Sequence, residues 1–220
     1  MRLKICLISL VFLFGCSTIT GQNYQSLEKK SADVLISLSK NDSGYKTTIE
    51  ELKSVLFEDI DGEILEGTYL ITPAAFDSLK YHFSQFQKES ENISPDSSLV
   101  LFNNWYLHLQ NLFYDYNKEK FFSSNKTKIL FFSASMSCQC TLEMCRKQTI
   151  EILKLANEKN LDYWIVDSYE HNELQIKYET LFAPSVIVFN AKNEVLYKIE
   201  YNEKMLVNLD DFLQKNEGNN

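Results

Sequence analysis

Residues 128–145 read KILFFSASMSCQCTLEMC, and this stretch decides the fold class. Its first six residues, KILFFS, form a short apolar run of the kind that makes a strand buried on both faces. A helix is predicted over residues 138–159. Three of the chain's five cysteines, Cys138, Cys140 and Cys145, lie where the strand gives way to that helix. A thiol at a helix start faces backbone N–H groups that have no intrahelical partner, and it sits at the positive end of the helix dipole. Both effects favour the thiolate, which is the nucleophilic and metal-binding form of cysteine.

Working outward, LDYWIVD at residues 161–167 reads as a second strand and residues 172–180 as a short helix. SVIVFN at 185–190 reads as a third strand. Lys192-Asn193 turns into a fourth strand over 194–201, making a hairpin. A last helix is predicted over 205–215. Strand, helix, strand, helix, strand, strand, helix is an α/β order. Ala183-Pro184 stands just before the third strand, and a proline in that place is a candidate cis bond in a turn.

Cysteines at a strand-to-helix turn, this element order and Ala183-Pro184 together resemble the thioredoxin-like superfamily, over residues 128–215. The resemblance implies a central sheet flanked by helices, with a cis Pro184 facing the cysteines. It implies that Cys138 attacks a substrate disulfide, with Pro184 shaping the groove and Ala183 offering backbone to the substrate. Membrane-tethered members with an extra N-terminal region have a similar chain plan. The sequence also departs from the family pattern Trp-Cys-x-x-Cys. Ser137 stands in place of the Trp, Thr141 in place of the second Cys, and Cys140 lies one residue closer. No carboxylate lies in 128–133, where many members keep a buried acid.

The spacing itself limits the pairing. A disulfide needs Cα atoms about 4.4–6.8 Å apart. Five residues of helix rise about 7.5 Å, so Cys140 and Cys145 cannot pair if both are helical. Cys138 with Cys140 is feasible in a tight ring that should be strained and comparatively oxidising. Cys140 is therefore expected to resolve a mixed disulfide on Cys138. Cys145 is read as a buried packing residue, with a third redox thiol or a metal ligand as the alternatives. A second reading takes Cys138, Cys140, Met144 and His171 as soft and imidazole donors for Cu(I), as in copper-delivery relatives of thioredoxin. In the redox reading no cofactor is needed. A third reading is a thioredoxin-fold binding protein without catalysis.

At the other end, residues 1–16 read MRLKICLISLVFLFGC. Arg2 and Lys4 precede an apolar run too short to span a bilayer, which needs roughly 20 residues. This is the pattern of a signal peptide over residues 1–15. Leu13-Phe14-Gly15-Cys16 resembles the lipobox of bacterial lipoproteins, which implies lipidation of Cys16 and a tether over 16–26. Export implies a cell-envelope location, facing the periplasm or exterior, where disulfides persist. The implied partners are the membrane and protein thiols or disulfides.

Between tether and sheet, residues 27–121 read as a mainly helical region and 122–127 as a linker before the domain at 128–217. Leu27, Ser31, Val34, Leu35 and Leu38 follow helical spacing, and the turn cluster Asn41-Asp42-Ser43-Gly44 ends that helix. Thr48 and Glu51 resemble a capping box opening the next one. Residues 64–71 are predicted to be extended. Thr72-Pro73 is a helix start. One further helix is predicted over 97–120, its aromatic stripe (Phe102, Trp105, Tyr106, Phe113, Tyr116) being a packed core face.

Composition removes other classes. Net charge is −8 with a pI near 5.0, the reverse of a non-specific nucleic-acid binder. No glycine falls between Gly67 and Gly218, so no nucleotide-binding glycine loop fits there. His82, His108 and His171 are far apart and make no histidine-rich zinc motif.

Overall fold

The computed structural model describes residues 9–41, 44–60 and 62–216; for residues 9–23 and 62–64 it describes the backbone alone. Residues 1–8 and the side chain of Cys16, and with them the signal-peptide and lipidation readings, lie outside the described residues. The chain divides into two compact units, residues 1–95 and 96–220.

The first unit is helical. It holds α1 (Ser9–Ser39), α2 (Tyr45–Ser54) running into a π-helical turn (Val55–Asp59), α3 (Gly62–Tyr69) and α4 (Pro73–Ser90). The helical face expected from the sequence is the buried one: Leu27, Ser31, Val34, Leu35 and Leu38 are all inaccessible or nearly so. Residues 21–26, expected within a polar tether, instead continue α1. Tyr24 explains this, because it is fully buried, with its ring centroid 6.2 Å from that of Tyr69. The predicted Thr48–Glu51 capping box does not form. The helix begins four residues earlier, at Tyr45 after Gly44, and the Thr48 hydroxyl donates back to the Tyr45 carbonyl at 2.8 Å. Residues 64–69, predicted to be extended, are helical, since Leu65 and Tyr69 are four apart and both buried. Thr72-Pro73 opens α4 as expected, with the Thr72 hydroxyl accepting from the Ala75 amide and Pro73 at the first helical position. Among the described residues no helix is long and apolar enough to cross a membrane.

The second unit begins with α5 (Pro95–Leu112) and α6 (Tyr114–Ser123). One helix was predicted over 97–120; it breaks at Phe113, whose φ of −99° and ψ of 21° leave the helical region. Phe122 and Ser123, predicted to open the linker, complete α6. Packing is the reason for both differences. Tyr114, Phe121 and Phe122 of α6 all reach Trp164, with ring centroids 5.2–6.2 Å apart.

Four strands follow: β1 (Lys128–Ser133), β2 (Asp162–Asp167), β3 (Ser185–Phe189) and β4 (Val195–Glu200). The sheet order is β2-β1-β3-β4, with β1 parallel to β2 and antiparallel to β3, and β3 antiparallel to β4. The parallel pair needs a long crossover, which α7 (Gln139–Glu158) supplies; α8 (Asn172–Lys177) links β2 to β3, and α9 (Met205–Asn216) closes the chain. The pleat sorts the residues onto two faces. Leu130, Phe132, Trp164, Val166, Ile187 and Phe189 form one core with Phe121 of α6 and Leu174 of α8. The opposite face takes α7 and α9, marked by Tyr197 of β4 stacked on Phe212 with ring centroids 4.4 Å apart. All six residues of β1 are buried, as a strand covered on both faces requires.

Candidate active site

The cysteines lie at one end of the central strand β1, where it gives way to α7. Cys138 is the N-cap residue, in extended backbone conformation (φ −64°, ψ 153°), and its carbonyl accepts from the Leu142 amide at 3.1 Å. Cys140 lies in the first turn. Both thiols are free and exposed. Their sulfurs are 2.9 Å apart, and the Cys138 sulfur is also 3.1 Å from the Thr141 hydroxyl. These contacts hold the Cys138 thiol down to about 7: first the Cys140 thiol, then the Thr141 hydroxyl and amide, with a smaller contribution from Ser137. Each is a hydrogen bond better made to a thiolate than to a thiol.

Cys145 behaves in the opposite way. It is fully buried on the inner side of α7. Burial pushes its thiol up to about 11, against small opposing contributions from the Ala134 backbone and the Ser133 hydroxyl. One helix thus carries an easily ionised surface cysteine and a buried neutral one.

Ala183-Pro184 is a cis peptide. The Pro184 carbonyl accepts from the Tyr201 amide at 2.8 Å, and the Tyr201 hydroxyl lies 3.5 Å from the Thr141 hydroxyl. Pro184 is therefore linked to the cysteine turn through Tyr201 and Thr141. An open groove of about 560 Å³ runs between these elements, lined by Ala134, Met136, Ser137 and Thr141 on one side. Ser168, Tyr169, Gln175, Leu181, Phe182, Ala183 and Tyr201 complete it. No lining residue carries a formal charge, and Met136, Leu181 and Phe182 are each at least 60% exposed.

Asp167 fixes the rim. It is fully buried at the end of β2, and its carboxylate accepts from the amides of Ser135 at 3.0 Å and Tyr169 at 3.1 Å. The loops after β1 and β2 are thereby tied together. Neither Asp167 nor Tyr201 stands out in the sequence, since the links from Asp167 to Ser135 and from Tyr201 to Thr141 span 32 and 60 positions.

Among the described residues Cys138, Cys140 and His171 are not grouped as a metal site. His171 stacks on Tyr114, with ring centroids 3.6 Å apart and planes 9° apart, and its Nδ1 lies 3.7 Å from Glu173. Burial lowers its pKa, against the surrounding carboxylates, which raise it. Met144 is half-buried on α7. Among the described residues no group of three or more His, Cys, Asp or Glu side chains is arranged to hold a metal ion.

Sheet order, the cysteine-bearing helix after β1 and the cis proline before β3 make this a thioredoxin-like fold, preceded by a helical region. Among solved structures, the domain is similar to the germline-specific thioredoxin Deadhead of Drosophila melanogaster, at 20% identity over 46% of this chain and 92% of that one, with a TM-score of 0.38. It is also similar to thioredoxin O2 of Arabidopsis thaliana, at 17% identity over 46% and 86%, with a TM-score of 0.37. The thioredoxin of Fasciola hepatica gives 17% identity over 46% and 91%, with a TM-score of 0.37. No protein-family model matches the chain, and no curated protein matches it.

Proposed function

We propose that this chain carries out thiol–disulfide exchange outside the cytoplasm, held at a membrane by a lipid on Cys16, with protein thiols or disulfides of the cell envelope as its clients. The observation that carries the reading is the pair of exposed sulfurs, Cys138 and Cys140, 2.9 Å apart at the start of α7. Support for the anchor and location comes from the sequence alone, Leu13-Phe14-Gly15-Cys16 after a short apolar run.

In the reductive direction the Cys138 thiol gives up its proton and the thiolate attacks one sulfur of a client disulfide. The client S–S bond breaks, its second sulfur leaves as a thiolate and takes up a proton, and a mixed disulfide forms on Cys138. Cys140, deprotonated in turn, attacks the Cys138 sulfur and releases the first client sulfur, which is protonated. The client gains two electrons and two protons, and Cys138 and Cys140 end as a disulfide. The reverse sequence oxidises a client dithiol. The groove, uncharged and bordered by exposed apolar side chains, suits an extended client segment lying across Ala183.

The test is exchange with a protein disulfide such as that of insulin. The reduced chain should cleave it faster than free cysteine does, Cys138→Ala should abolish the effect, and Cys140→Ser should accumulate the mixed disulfide. Cleavage no faster than that by free cysteine would overturn the reading in favour of a binding protein on the same fold.

A further inference from the structure

Thr141 stands at the third position of α7, three residues after Cys138. Its hydroxyl has two partners, the Cys138 sulfur at 3.1 Å and the Tyr201 hydroxyl at 3.5 Å. The residue is buried, and a buried hydroxyl is costly to leave without a hydrogen bond. A threonine hydroxyl has one hydrogen to donate and lone pairs to accept with. A thiolate has no hydrogen, so against ionised Cys138 only one direction works: the Thr141 O–H donates to sulfur. Its oxygen is then free to accept from the Tyr201 O–H.

Tyr201 is placed for this. Its φ of 39° lies in the left-handed region, which side-chain-bearing residues rarely adopt. Its amide is held by the Pro184 carbonyl at 2.8 Å. The proline loop thus fixes the tyrosine, and the tyrosine orients the threonine. The other groups facing the Cys138 sulfur are the Cys140 thiol, the Ser137 hydroxyl and the Thr141 amide; among the described residues no charged side chain contributes. Cys140 loses its hydrogen when it ionises to resolve a mixed disulfide. A threonine hydroxyl does not titrate, so its donation to sulfur survives that step. Hydrogen bonds to an ionised acceptor are roughly twice as strong as neutral ones, so this one favours the thiolate over the thiol.

We propose that Thr141, standing where the sequence pattern leads one to look for a second cysteine, is a catalytic residue whose hydroxyl donates to the Cys138 thiolate, and that Tyr201 is its positioning residue. The proposal rests on the exchange reading of the same site and adds to it a group that stabilises Cys138 both as attacking thiolate and as leaving group.

The test is residue-resolved alkylation of the full reduced chain across pH, read by mass spectrometry. Thr141→Val should move the Cys138 midpoint up by about one unit, leaving roughly tenfold less thiolate at any pH well below it. Thr141→Ser should restore the original profile, and Tyr201→Phe should move it part of the way. Cys145 should stay slow throughout, which a general loosening of the helix would not allow. If the valine variant does not fold, Thr141→Ala and the exposed Tyr201→Phe serve in its place. An unmoved Cys138 midpoint in these variants overturns the proposal. An unmoved midpoint in a chain that does exchange disulfides overturns this proposal alone; a moved midpoint in a chain that does not exchange them keeps the Thr141 hydrogen bond but overturns the exchange reading and, with it, the catalytic role of Thr141.

Discussion

The rings of Tyr114 and His171 lie face to face, 3.6 Å apart and 9° from parallel. This contact joins α6 to the loop before α8, and the Tyr114 hydroxyl completes it by donating to Glu173 at 2.7 Å. Burial together with that carboxylate pushes the tyrosine pKa well up, and burial pushes His171 down. Glu173 is lowered: burial opposes this, but the Tyr114 hydrogen bond, a hydrogen bond from its own backbone amide and the nearby His171 and Lys118 together outweigh it. These contacts tie His171 into the packing between α6 and the start of α8.

His171 should titrate below the usual 6.5 or so. With its folded-state pKa lowered, the unfolded chain binds more protons than the folded one just below that value. The His171 contribution to stability therefore grows as pH rises through this window and is lost on acidification. Titration of the His171 ring signals by NMR checks it. Tyr114→Leu should move the midpoint back up, and a wild-type midpoint at or above 6.5 would contradict the packing argument.

Cys138 and Cys145 should separate cleanly in alkylation. Cys138 should reach half its maximal rate near pH 7, and Cys145 should stay unreactive through neutral pH, following thiols held at about 7 and about 11. Cys145→Ser places a hydroxyl in the buried site and should cost about 1–3 kcal/mol, while the Cys138 profile stays unchanged. Peptide mapping and urea denaturation provide the two measurements.

Trp164, 1% exposed, is the centre of the core that joins α6 to the sheet. Trp164→Ala should destabilise the second unit by about 3–5 kcal/mol, with Phe the mildest replacement. A loss under 1 kcal/mol in denaturant unfolding would mean that the α6 packing matters little.

The anchor is checked in cells. Metabolic labelling with a fatty acid should mark the chain, and Cys16→Ala should remove the mark and release the protein from membrane. A wild-type chain that takes no label rules out lipidation.

Some of this molecule is legible over short stretches of chain. The run KILFFS makes a strand whose ends match the structure to the residue. Cys138 at a helix start, the hairpin after β3 and the proline before it follow from local patterning, because strand alternation, caps and proline restrict the backbone within a few residues. Thr72-Pro73 is legible for the same reason.

What the chain could not show locally are the meetings of distant residues. Tyr201 reaches Thr141 across 60 positions, Asn111 reaches Asp167 across 56 and Tyr114 reaches Glu173 across 59. Sheet pairing sets these distances, and no residue in between records them. The same packing overrode local signals elsewhere. The helix at 97–120 breaks at Phe113 and α6 extends to Ser123 because three aromatic rings gain contact with Trp164. Residues 21–26 are helical because Tyr24 is buried. The sequence by itself determined which stretches are strands of the sheet and that Cys138 and Cys140 stand where the first strand gives way to a helix. Only the tertiary structure decided the neighbours of each cysteine, and therefore which thiol ionises readily: the hydrogen bonds at Cys138 and the burial of Cys145 both come from side chains and backbone that folding brings together.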